Sequence, residues 1–122
     1  MTGIRSYRDT EVKTASRETI LLLVLETALR REDTAIELLQ QGRFEEAREQ
    51  LAFARNAFSE LMLALDHQVA PELAARLHRL YLWCLRELAR AGNSRDTSPV
   101  EGVRKVTQSL LETWTEAVGA AV

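Results

Sequence analysis

Apolar residues recur along most of this chain at alternating steps of three and four, the spacing of one buried stripe on an α-helix. The pattern is clearest in Phe44, Ala47, Leu51, Ala54, Phe58, Leu61 and Leu65, which form the seam of a helix packed on its neighbours at a small crossing angle. At about 1.5 Å per residue such a helix is a rod of roughly 33 Å. Residues 66–70 read as a short connection, and Pro71 suits the first position of the next helix. In that helix Leu77, Tyr81, Cys84, Leu88 and Ala91 repeat the same spacing. Gly92-Asn93-Ser94-Arg95-Asp96-Thr97-Ser98-Pro99 is a run of turn formers and predicts a loop. Ser98 as N-cap and Pro99 at the first helical position then open a last helix. Its stripe is Val103, Thr107 (or Val106), Leu110, Trp114, Ala117 and Ala121.

Upstream, Thr14 and Ser16 are N-cap types, and Glu18 adds negative charge where a first turn favours it. No Gly or Pro interrupts the chain from there to Gln41, and Gly42 suits a C-cap. Four long amphipathic helices with short connections predict an all-α fold, an antiparallel up-and-down four-helix bundle spanning 14–122. Residues 1–13 are polar, with Ile4, Tyr7 and Val12 as their apolar anchors, and predict a flexible N-terminal arm.

Composition narrows the function. The chain has 122 residues, with 16 basic against 18 acidic side chains, so no excess positive charge grips nucleic acid or an anionic membrane. The longest apolar runs, 20–25 and 80–85, are too short for membrane insertion. A single cysteine, Cys84, fits a reducing compartment, and a cytoplasmic location is expected. A metal site in a bundle of this kind usually uses Glu-x-x-His, but Ala64 and Ala75 stand three residues before His67 and His78. His67 reads as a solvated turn residue, His78 as a boundary residue and Cys84 as a small buried hydrophobe. With no glycine-rich phosphate loop and no nucleophile elbow, neither cofactor nor catalysis is expected.

The feature in surplus is apolar surface. Residues 20–25 are apolar all round the helix, and Phe53, Met62 and Leu63 lie off one stripe as Leu82, Trp83 and Leu85 lie off another. Such area is rarely left bare by a monomer. The pattern fits central helices or a dimer, and it equally fits a groove for a partner's amphipathic helix.

The segment Tyr7-x4-Val12-x-Thr14-Ala15-Ser16-Arg17-Glu18-x-Ile20-Leu21-Leu22-Leu23-x-x-Glu26-x-Ala28 resembles the opening of the flagellar secretion chaperone family FliS. That family reads Tyr, then Thr-Ala-Ser-Pro-Glu, then a hydrophobic run ending in Asp-Gly-Ala. Downstream, Gly42-x4-Ala47, Glu60-Leu61-x3-Leu65-Asp66, Leu77-x-x-Leu80-Tyr81-x4-Arg86-x-Leu88-x-x-Ala91 and Trp114 follow the family's order and spacing. Arg17 and Thr27 depart from its proline and glycine, and the extra Gly92 stands in what is usually Ala-Asn.

The resemblance implies a cytoplasmic export chaperone that binds the C-terminal segment of flagellin, prevents premature polymerisation and delivers it to the export gate of the flagellar type III apparatus. It implies contacts to cargo or gate from Ile4 and Tyr7 on the arm. For the groove, Leu77, Tyr81, Leu85 and Leu88 are the candidate partner-binding residues, on a monomer or weak homodimer. Two alternatives to this cargo stand beside it: a dimerising helical scaffold, and a chaperone of a different type III-secreted protein.

Overall fold

The computed structural model describes the backbone of residues 2–121 and the side chains of residues 17–117 and 119. The expected arm, with Ile4 and Tyr7, therefore lies outside the described side chains. Four helices account for the fold: α1 (Thr2–Gln40), α2 (Phe44–Leu63), α3 (Pro71–Ser94) and α4 (Ser98–Ala121). α1 packs on α2 and α4, and α3 packs on the same two, so each helix touches two neighbours around one core. With connections this short, the four run antiparallel in turn, as the hydrophobic pattern predicts.

The predicted seams are the buried ones. Ala47, Leu51, Ala54, Phe58 and Leu61 of α2 are buried, as are Tyr81, Cys84, Leu88 and Ala91 of α3. Phe44, Leu65, Leu77, Leu110 and Trp114 are half-buried against them. On α1 the buried stripe is Leu25, Ala28, Glu32, Ala35 and Leu39, again at steps of three and four, with a carboxylic acid in the middle and Leu38 buried beside it. Burial pushes the Cys84 thiol up to about 12, so at neutral pH it stays protonated and acts as a small apolar filler.

Two boundaries differ from the sequence reading. The backbone is helical from Thr2, so Thr14 and Ser16 stand inside α1. α3 continues through Gly92 and Asn93 to Ser94, so the expected eight-residue loop contracts to Arg95, Asp96 and Thr97. Arg95 stops the helix in the left-handed region (φ 59°, ψ 22°), a place more often taken by glycine. The Asp96 carboxylate, rather than Ser98, then serves as acceptor: the Ser98 N–H donates to Asp96 Oδ1 at 3.1 Å.

At the end of α1, Gly42 has φ 74°. Its N–H donates to the carbonyl of Leu39 at 3.1 Å and the N–H of Arg43 to that of Leu38 at 2.9 Å. This pair of bonds is a Schellman motif, which satisfies carbonyls that the helix end would leave unpaired.

A candidate partner-binding groove

The connection between α2 and α3 is shaped by local hydrogen bonds. Ala64 and Leu65 donate their N–H groups to the carbonyls of Glu60 and Met62, which tightens the last turn of α2. Asp66 Oδ1 then accepts from the N–H groups of Gln68, at 2.9 Å, and Val69, at 3.2 Å. This aspartate turn reverses the chain and presents Val69 to solvent. Pro71 follows at the first turn of α3, where its missing N–H is no loss.

Above this turn opens a cavity of about 690 Å³. Val69, Leu73 and Leu77, Leu65 at the end of α2, Leu21 of α1 and Trp114 of α4 line it. Val69 is 81% exposed and Leu73 57%, high values for aliphatic residues in a folded domain. Arg17, Glu18 and Asp66 stand among the lining residues and supply charge of both signs to a mainly apolar depression. The volume lies within the range of ordinary binding sites. The wall chemistry suits an apolar stripe with polar flanks, as an amphipathic helix presents.

A second, smaller cleft of about 340 Å³ runs between α1 and α2 beside Ile20, Leu23, Val24 and Phe53. Arg31 also lines it. Its guanidinium lies 4.4 Å from the centroid of the Phe53 ring. Its Nη1 donates to Gln50 Oε1 at 3.0 Å. The all-round apolar run 20–25 is thus shared out: Leu25 enters the core, Leu21 the larger groove, and Ile20 and Leu23 the smaller cleft.

The sequence-predicted site residues separate in the structure. Leu77 lines the groove. Leu85 is half-buried against the core and lines neither cavity. Tyr81 and Leu88 are a correction: at 1% and 0% exposure they are core residues, out of a partner's reach while the bundle is closed. The Tyr81 ring packs 5.9 Å from that of Phe58. Both residues sit on the inner stripe of α3, and the groove meets that helix one and two turns before Tyr81, at Leu77 and Leu73. Val69 and Leu73 were missed because neither belongs to a seam. The available signal was an aliphatic residue in a polar turn just before a helix-opening proline. Among the described residues no helix is long and apolar enough to cross a membrane.

The model of a family described as "Flagellar protein FliS" matches residues 1–121. Among solved structures, one titled "Crystal structure of flagellar chaperone from bacteria" superposes with a TM-score of 0.82. It is 20% identical in sequence, and the match covers 98% of each chain, which shows a shared fold. No curated protein matches the chain at a significant level.

Proposed function

Because the chain belongs to the FliS family of flagellar proteins, we propose that it is a cytoplasmic export chaperone for flagellin. It binds flagellin's C-terminal segment, keeps it from polymerising and carries it to the flagellar type III export gate. The observation that supports this reading is the groove itself, an apolar depression at one end of the bundle with Val69 and Leu73 exposed on its lining. A disordered segment with an apolar stripe gains enough buried area there to offset its own ordering. The chemistry required is burial and shape, with no bond made or broken.

Calorimetric titration with the flagellin C-terminal segment tests the reading. One-to-one binding with a large negative heat-capacity change is expected. Leu73→Asp weakens it by on the order of 100-fold, the loss typical of a central contact. Undiminished binding by Leu73→Asp would move the cargo elsewhere, with the α1–α2 cleft next in line. No heat with this segment, together with a mass that rises with concentration, would favour the dimerising scaffold.

We further propose that the segment of α1 carrying Ile4 and Tyr7 folds back over part of the empty groove, breaking the helix ahead of Arg17, and moves when cargo enters. Tyr7→Ala should then tighten cargo binding and weaken contact with the export gate. Unchanged affinities for both would reduce Tyr7 to a staple on the bundle.

A further inference from the structure

Glu32 occupies a seam position of α1, between Ala28 and Ala35, and is fully buried. Its Oε2 lies 2.9 Å from the hydroxyl of Thr107, itself fully buried on α4. That hydroxyl also lies 3.0 Å from the main-chain oxygen of Val103. A hydroxyl has one proton and so serves one of these two acceptors. The other oxygen of Glu32, Oε1, has no hydrogen-bond partner. An ionised carboxylate with one oxygen bare in a core is far costlier than a neutral acid with a bare carbonyl. A neutral acid also resolves the shared proton. The Glu32 hydroxyl donates to Thr107 Oγ1, and Thr107 donates back along its own helix to Val103, a bond that buried threonines commonly make.

We propose that Glu32 is held as a neutral carboxylic acid that ties α1 to α4, and that losing its proton loosens this interface. The groups facing it come from each neighbour. α4 brings Thr107 and the Arg104 guanidinium, and the latter is paired with Asp33 on α1. α3 brings the Cys84 thiol, which is protonated. The buried seam of α2 is uncharged, made of Ala47, Leu51, Ala54, Ala57, Phe58 and Leu61. Arg104 is thus engaged at a half-exposed ion pair, and its charge lowers the Glu32 carboxyl by less than burial raises it. Desolvation raises the Glu32 carboxyl to about 8 even against a proton donated by Thr107, and with that proton turned to Val103 nothing from Thr107 opposes it. The interface matters beyond its own position, because α1 and α4 also supply Leu21 and Trp114 to the groove.

The direction with pH follows from the raised value. Below about pH 4.5 the acid is protonated in folded and unfolded chains alike, and its burial is fully tolerated. Between about 4.5 and 8 only the unfolded chain releases the proton, so this group's contribution falls as pH rises. Denaturant unfolding of the wild type and Glu32→Gln across this range tests it. The ratio of their folding constants should shift toward the variant by about tenfold per pH unit, the signature of one proton. Parallel profiles would overturn the proposal.

Should Glu32→Gln fail to fold, infrared spectra of the wild type at pH 7 decide. Ordinary carboxylates are ionised there, so a protonated-carboxyl band is expected, and its absence would overturn the neutral state. The loosening has its own readout in a Trp83→Phe background, where Trp114 is the remaining tryptophan. Acrylamide quenching of Trp114 should rise between pH 7 and 9 with Glu32 present and stay flat with Gln. Flat quenching in both would overturn the loosening.

Discussion

The two ends of this bundle are built from the same kinds of residue to opposite effect. At one end α1 meets α2 and α3 meets α4, through connections of three residues each. Both connections contain a residue with positive φ, Gly42 in one and Arg95 in the other. The two are also tied to each other. The Arg95 guanidinium lies 4.6 Å from the Phe44 ring centroid. Arg48 Nε donates to the Gly92 carbonyl at 3.2 Å across 44 residues of chain. At the other end, the α2–α3 connection stands opposite Arg17, Glu18 and Leu21 of α1 and Trp114 of α4, and a groove separates them. Arginines fill the space between turns at the closed end, whereas aliphatic side chains line an unfilled space at the open one. Tight turns and cross-ties fix one end, and the apolar surface left over at the other is available for binding.

The contrast predicts that equal truncations have unequal consequences. Leu51, 1% exposed, packs toward Gly92 at the closed end. Leu51→Ala should lower stability by about 2–5 kcal/mol, the usual result of emptying a close-packed leucine site. Leu73→Ala removes the same atoms from a residue already 57% exposed, and stability should change by less than about 0.5 kcal/mol. Urea unfolding of the pair measures both. A Leu73 variant as unstable as the Leu51 variant would show that the groove is structural packing and would break the comparison.

Much of the closed core was legible because its period is strict. The α2 and α3 seams follow from their spacing, and the helical fold follows from them. The open end was legible at Leu65, Leu77 and Trp114, which lie at the ends of seams, and in the all-round apolar run that holds Leu21. Val69 and Leu73 gain their meaning from three other segments brought near by folding, which no local period records. The α3 end was misjudged for a related reason. Gly-Asn-Ser favours a turn in isolation, but in the bundle Gly92 lies beside Arg48 and Leu51, and that packing carries the helix three residues further. Glu32 is the opposite case, since a charged residue type occupies a position that the period marks as core, made tolerable by a hydroxyl from a helix 75 residues away.

Smaller effects should be confined to the closed end. Gly42 has open space around the position of a Cβ, so any penalty on Gly42→Ala arises from the backbone. At φ 74° a left-handed alanine costs about 1 kcal/mol, or roughly 4 °C in melting temperature. Cargo affinity should be unaffected, because the turn lies at the far end from the groove. A drop in affinity equal to that of Leu73→Asp would mean that the two ends are coupled.

Gly92→Ala carries the smallest effect and has the opposite sign. Gly92 lies inside α3 with an ordinary helical φ, where glycine gives up more chain entropy on folding than alanine does. An added Cβ would sit 3.7 Å from Arg48 Cγ and 3.8 Å from Leu51 Cδ1, ordinary contact distances that need no rearrangement. The Gly92 carbonyl would keep its bond from Arg48, since that bond uses main-chain oxygen. Gly92→Ala should therefore raise stability by about 0.5–1 kcal/mol, read as a higher urea midpoint at unchanged slope. A loss instead would mean that Arg48 and Leu51 stand closer to Gly92 in solution than these contact distances. The closed end would then be packed more tightly than its hydrogen bonds and turns require, with the glycine retained for close approach.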